Sequence, residues 1–277
     1  MAESPMQLAL IADIHGNLEA LEAVLADIQR TAPDAMLVCA GDIVGYGPDP
    51  EACIARLREL GVPCVMGNHE EMLLGKRDFS RCVYAGVKSA MWARKRLSPE
   101  AKAFLEALPG SREVVPGIVV CHGDLESADT YISDPARAAA ALEQLQCRWP
   151  EAEMLVCAHT HHAAVYTTSS GFELVDVPDQ WDCASGEACI VNPGAVGQSR
   201  DTRAVARYAI LHREQRSLSF HELEYDHATT IRKLRRAGLV PQVVLRRPEG
   251  RIAQRIEWYK LRWARYWAEK DNVKRND

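Results

Sequence analysis

The chain has 277 residues, 47% hydrophobic and 26% charged, which excludes a disordered, collagen-like or coiled-coil protein. No apolar run approaches the ~18–20 residues that span a bilayer, and no basic region leads into an apolar stretch after Met1, so neither a membrane anchor nor a signal peptide is expected. The formal net charge of -5 is uneven: residues 228–277 carry fourteen Lys/Arg against five Asp/Glu, which leaves an acidic body and argues against a broad nucleic-acid surface. Nine cysteines form no C-x-x-C, and Cys39, Cys64, Cys121 and Cys157 fall in apolar runs. Buried thiols of this kind suit a reducing cytoplasm better than a disulfide framework.

In chain order, Gln7 to Ala12 is an apolar run that stops at Asp13-Ile14-His15-Gly16-Asn17, as a buried strand would. Asn17 is a candidate N-cap for a helix whose Leu18, Leu21, Leu25 and Ile28 fall at helical spacing. Ala35 to Ala40 is a second strand, ending in Gly41-Asp42, and Glu51 to Leu60 a second helix. Val62 to Met66 reads as a third strand, ending in Gly67-Asn68-His69-Glu70. This alternation predicts βαβ units and a largely parallel sheet. Residues 70–110 read as helical, Val114 to Cys121 as a strand turning at Pro116-Gly117, Pro135 to Leu145 as a helix capped by Ser133 or Asp134, and Glu153 to Ala158 as a strand. From Ala163 the pattern changes to short alternating strands: Val165 to Thr168, Phe172 to Val175, Ala188 to Val191, Tyr208 to His212 and Leu218 to Leu223. No linker, internal repeat or low-complexity tract interrupts the chain.

Five strand-like runs end in side chains with chemistry: Asp13-x-His15, Asp42, Asn68-His69, His122 and His159-x-His161. Strand carboxyl ends are where α/β folds place their sites. Mixed imidazole and carboxylate groups at five such ends suit two divalent ions ~3.5–4 Å apart that share a bridging carboxylate. That donor set favours Mn, Fe, Zn, Co or Ni over Mg and Ca. A lone histidine would read as an ordinary core residue; the joint set does not.

The pattern resembles the calcineurin-like metallophosphoesterase superfamily, whose signature is D-x-H, G-D, G-N-H-[DE], a His before Gly, and G-H-x-H. The matches are Asp13-Ile14-His15, Gly41-Asp42, Gly67-Asn68-His69-Glu70, His122-Gly123 and His159-Thr160-His161. The strings Gly41 to Pro48 and Asn192 to Gln198 look like the small prokaryotic phosphodiesterase branch. Two departures stand out. Ala158 replaces the Gly before H-x-H, which is tolerable unless that residue needs a positive φ. Gly45 and Tyr46 stand where the phosphoprotein phosphatases have an Asp and an Arg, so a Ser/Thr protein phosphatase of that branch is not expected.

The resemblance implies an α/β fold, a two-sheet sandwich with βαβ units first and mixed or antiparallel strands later, flanked by helices. It implies that Asp13, His15 and His161 bind one metal, that Asn68, His122 and His159 bind a second, and that Asp42 bridges both. His69 would face the substrate and stabilise or protonate the leaving oxygen, while a hydroxide activated by both metals attacks phosphorus. The expected activity is phosphodiester hydrolysis on a small phosphorylated substrate, with phosphomonoesterase or nucleotide pyrophosphatase as alternatives. Some relatives are metal-poor scaffolds that lack the catalytic His; here His69 and all seven ligand positions are filled.

Arg200 and His162 are further candidates for substrate contact, although a solvated loop arginine and a rim histidine are the plainer readings. Cys183 and Cys189 lie six apart, which admits a thiol pair; separate thiols are the favoured reading. No P-loop or dinucleotide fingerprint occurs. Residues 1–227 are expected to form the phosphoesterase domain and 228–277 a basic helical extension. There Ile252, Ile256, Tyr259, Trp263 and Tyr266 recur at helical spacing, and packing on the chain's own body is favoured over a dimer seam. Contact with nucleic acid or an anionic membrane is the least favoured role for this stripe.

Overall fold

The computed structural model describes residues 6–183, 186–200 and 203–244. The aromatic stripe of 252–266 lies outside the described residues. Two mixed sheets face each other. The first contains β1 (Gln7–Ile11), β2 (Met36–Cys39), β8 (Asp179–Asp182), β10 (Val205–His212) and β11 (Ser217–Glu224), in the order β2-β1-β10-β11-β8. The second contains β3 (Ser111–Val115), β4 (Ile118–Cys121), β5 (Met154–Val156), β6 (Ala163–Thr167), β7 (Gly171–Leu174) and β9 (Cys189–Pro193), in the order β3-β4-β5-β9-β6-β7. The helices are α1 (Leu18–Thr31), α2 (Pro50–Glu59), α3 (Asn68–Leu74), α4 (Tyr84–Arg94), α5 (Pro99–Glu106), α6 (Pro135–Arg148) and α7 (His227–Arg236).

Alternation along each strand sorts the cores. Leu8 and Leu10 point into the space between the sheets with Val38, Val120, Val156, Val191 and Phe220. Ala9 and Ile11 point the other way, onto Leu21, Val24, Ile54, Leu57 and Leu105 of the helices outside the first sheet. On the outer face of the second sheet, Val119 and Leu155 pack against Leu142 and Leu145 of α6. Strands covered on both faces are apolar throughout, which is why β1 and β4 read as continuous runs.

Two expectations need correcting, and one strand was not foreseen. The first sheet is parallel only between β1 and β2; β10 inserts antiparallel on the other side of β1, with Gln7 opposite His212. Val62–Met66 makes only an isolated bridge between Cys39 and Cys64. Pro63 brings no N–H to a ladder, and the Met66 N–H donates to Pro109 O at 2.8 Å instead. β8 was unexpected: Asp179-Gln180-Trp181-Asp182 lacks an apolar alternation and needs none, because it is an exposed edge strand.

The start of the basic segment belongs to this body. Leu234 of α7 and Leu239 and Val244 beyond it join the core outside the first sheet. Asn17 ties the pieces together: it caps α1 at Ala20 N (3.3 Å), donates to Gly197 O (2.9 Å) and Tyr225 OH (3.1 Å), and accepts from Thr230 Oγ1 (3.1 Å).

Candidate metal centre

The five predicted strand ends meet at one end of the sandwich. Asp13 and His15 follow β1, Asp42 follows β2, Asn68 and His69 open α3, His122 follows β4, and His159 and His161 lie between β5 and β6. All are buried. Their turns are hydrogen-bonded to one another: Asp13 N donates to Gly41 O (3.1 Å), His15 N to Asp42 O (2.8 Å), Ala158 N to His122 O (2.7 Å) and Gly197 N to Asp13 O (2.9 Å). Asp13, His15, Asp42, His159 and His161 sit at φ of 53°, 51°, 53°, 67° and 66°. The left-handed region is unusual for such residues, and its concentration at one place marks a site. Ala158 does not need a positive φ, so its methyl group is accommodated; its carbonyl accepts from Asn192 Nδ2 at 2.9 Å.

Three groups of donor atoms converge: Asp13, His15 and His161; His15, Asp42 and His69; and Asp42, His122 and His159, each group within 4.8 Å. Backbone carbonyls orient three of the rings. His15 Nδ1 bonds Val44 O (3.1 Å), His122 Nδ1 bonds Ala40 O (2.8 Å) and His161 Nδ1 bonds Gln198 O (2.6 Å). A proton placed on Nδ1 by its carbonyl leaves a lone pair on Nε2. Yet His15 Nε2 and His161 Nε2 are 3.2 Å apart, 3.7 and 3.4 Å from Asp13 Oδ1. Two lone pairs and a carboxylate aimed at one point call for a cation. Both Asp13 oxygens, Asn68 Oδ1 and Asp42 Oδ2 are buried without a hydrogen-bond donor. The residues therefore fit a two-metal site, Asn68 supplying a neutral oxygen.

The electrostatics show the same demand. Burial pushes the Asp13 carboxyl up to about 7, with His122 opposing. Burial also works to raise Asp42, but His122 and His69 hold it well below the usual carboxylate range. Burial would lower His122; the Asp42 carboxylate, 3.2 Å from its Nε2, overrides this and carries it up to about 10. Burial lowers His15, His69, His159 and His161, which favours their neutral forms and keeps His15, His159 and His161 available as ligands.

The His69 ring is boxed between the rings of Tyr46 (4.7 Å) and His15 (4.8 Å). Glycine is required at position 45, where φ is 97° and a Cβ would lie 2.3 Å from His69 Nδ1. At Gly67 a Cβ would lie 2.2 Å from Asp42 Oδ1. Glu70 holds both loops: its carboxylate, fully buried, accepts from Asp42 N (2.9 Å), Val44 N (2.9 Å) and Gly67 N (2.8 Å). Burial and the Asp42 charge raise it to about 7, while the N–H groups of Val44 and Gly67 pull it down. Sequence reasoning gave Glu70 no task; a Glu three residues past a helix start is a legible capping signal.

Arg200 lies at the same cleft. Its Nη1 donates to Tyr131 OH (3.2 Å), and its charge acts on Asp13, His15, His69, His159 and His161. Tyr131 in turn lies on the His159 ring, centroids 4.0 Å apart. Asp129, 3.8 Å from His159 Nε2, is held by Arg81 at 2.9 Å. Tyr131 and Asp129 belong to a loop with no periodicity, and nothing in the sequence announced them. His162 is exposed and not part of the donor groups; it borders a separate hollow with Val175, Arg203 and Arg207.

Two facing mixed sheets thus carry a cage of buried His, Asp and Asn donors at one end, suited to divalent metal. The model of the calcineurin-like phosphoesterase superfamily domain matches residues 6–216, and the chain belongs to this family. Over 229 residues it is 29% identical to an uncharacterized protein of Methanocaldococcus jannaschii, covering 79% of this chain and 88% of that one. The crystal structure of a metallophosphoesterase from Sphaerobacter thermophilus is similar at a TM-score of 0.74 and 31% identity, covering 86% of this chain and 97% of that chain. A symmetrical bis(5'-nucleosyl)-tetraphosphatase of Pectobacterium carotovorum subsp. carotovorum is 37% identical over 84 residues, 30% of this chain and 27% of that enzyme. Among the described residues no helix is long and apolar enough to cross a membrane.

Proposed function

We propose that the cage is a dinuclear centre for hydrolysing phosphodiesters of small substrates. Asp13, His15 and His161 would hold one ion, Asn68, His122 and His159 the other, and Asp42 would lie between them. The observation that carries this reading is the convergence of His15 and His161 Nε2 on Asp13, each ring oriented from behind by a carbonyl. Mn, Fe, Zn, Co or Ni suits this nitrogen and oxygen set. When bound, two such ions supply an activated water for in-line attack and positive charge for the phosphoryl oxygens. His69 stabilises or protonates the leaving oxygen from its box beside Tyr46. Arg200, aimed by Tyr131, binds a phosphate oxygen and holds the ester in line. Nine free cysteines support a cytoplasmic setting.

A second reading, cleavage of nucleotide pyrophosphates at the same site, is supported by the 84-residue similarity to the tetraphosphatase. The test is hydrolysis of a chromogenic aryl phosphodiester and of a dinucleoside polyphosphate, after chelation and again after adding Mn. Elemental analysis accompanies both. Fewer than about one ion per chain, with no activity gained on adding Mn, Zn or Ni, overturns the proposal. Asp42→Ala should lose the most metal and activity.

A further inference from the structure

The other end of the sandwich, at the start of β1, holds a second chemical feature. The turn between β10 and β11 carries Arg213 and Arg216. With Met6, Gly117, Ile118 and Met154 it borders a hollow of about 450 Å³, and Cys183 forms part of the wall. Cys183 lies just past β8, and Cys189 opens β9 of the facing sheet. Both belong to the buried cluster between the sheets, and Cys183 Sγ lies 3.6 Å from Glu187 O, two residues before Cys189. Arg216 Nη2 donates to Cys183 Sγ at 3.6 Å. Arg216 is itself held by the Glu153 carboxylate and by Glu187 O at 3.0 Å.

The two thiols differ in character. Cys189 first, then Arg216, hold Cys183 down at about 6, against burial and the Glu187 charge. Cys183 in turn, with burial, pushes Cys189 well above the usual thiol range. Cys183, on the cavity wall, is therefore the more readily ionised of the two. A thiol at a cavity wall beside a guanidinium has the environment of a reactive cysteine. Cys39 and Cys64 are also neighbours, but deep in the core, where Cys64 and burial raise Cys39 well above the usual range.

We propose that Cys183 and Cys189 are a reversible redox pair, with Cys183 attacking small hydroperoxides that enter the hollow and Cys189 resolving the product. In the first step Cys183 Sγ bonds the terminal peroxide oxygen and the O–O bond breaks. The sulfur is oxidised, and the departing alkoxide or hydroxide takes a proton from water. In the second step Cys189 Sγ attacks Cys183 Sγ, and the S–O bond breaks. The hydroxyl leaves as water with the Cys189 proton, and the disulfide closes between the sheets. An external thiol reverses it by exchange.

The test uses the full chain carrying Cys147→Ser, which removes the one exposed cysteine. After brief hydrogen peroxide treatment, free thiols are alkylated and the protein is cut on the carboxyl side of glutamates without reduction. Cleavage at Glu187 separates the two cysteines, so a disulfide keeps their peptides joined, two hydrogens lighter, until dithiothreitol is added. With Cys189→Ser, Cys183 should instead be trapped by dimedone as a sulfenic acid. Arg216→Gln should move the pH midpoint of Cys183 alkylation up from about 6 toward the ordinary ~8.5. Retained phosphoesterase activity reports that each variant is folded. Cys183 left alkylatable after peroxide overturns the proposal. So does equal dimedone trapping with and without Cys189.

Discussion

Replacing Glu70 with alanine tests how the cage is held, because Glu70 is not itself a proposed ligand and reaches the cage only through backbone N–H groups, that of Asp42 among them. Its carboxylate is the acceptor for Asp42 N, Val44 N and Gly67 N, all at 2.8–2.9 Å and all buried. Alanine strands three donors. Each buried N–H left without an acceptor costs about 1–3 kcal/mol, and water entering the vacated space recovers part of that. A net loss of about 4 kcal/mol follows, or roughly 8–16 °C in Tm for a domain of this size. Glu70→Gln keeps an oxygen over the Asp42 and Gly67 donors but turns an amide NH2 against Val44 N–H, so its loss should be near about 1–2 kcal/mol. Thermal melts in chelator isolate the loop anchor from the metals, and metal content after reloading reports whether Asp42 and Asn68 stay aligned. An alanine variant melting within about 2 °C of the parent refutes the reasoning. A glutamine variant as damaged as alanine assigns the effect to charge rather than to acceptor count.

His69→Ala should retain its metals while hydrolysis falls ~10²–10⁴-fold, with a smaller loss for nitrophenolate esters, whose leaving group needs little proton assistance; metal loss would make His69 a ligand instead. Arg200→Ala should raise KM more than it lowers kcat, and Tyr131→Phe, which frees the guanidinium without removing it, should do the same more weakly; unchanged steady-state kinetics in both would place Arg200 outside the substrate site. Removing bound metal with a chelator should lower Tm in step with RT ln(1 + [L]/Kd) without abolishing the cooperative transition, and a scan that shows no folded apoprotein contradicts the hydrogen-bonded cage.

The site was legible because polar side chains interrupt apolar runs, and each interruption in β1, β2, β4 and β5 lies just past a strand buried on both faces. What could not be read has physical causes. Val62–Met66 has the composition of a strand, but Pro63 denies it a ladder, and only the tertiary position of Pro109 decides where Met66 N–H goes. β8 pairs as an edge strand through its backbone and so needs no apolar signature. Tyr131 and Asp129 reach the cleft through a loop whose path follows the packing of α6, not local sequence. Cys183 and Cys189 meet because they sit on opposite sheets, a proximity that their spacing of six does not encode.

The left-handed turns under Asp13, His15, Asp42, His159 and His161 are fastened to one another's backbones and by Glu70. Their shape is held by hydrogen bonds among the chain's own groups. The conformational cost of gathering the ligands is met during folding, from core packing and hydrogen bonds, so little of it is left to be drawn from the affinity for an ion. A cage prepared in this way would select by donor chemistry and size rather than by rearrangement, and each transition ion that suits its nitrogen and oxygen set would meet the same donors in the same places. If it holds the two ions proposed, supply in the cell would decide among them, and exchanging one for another would not require unfolding the chain.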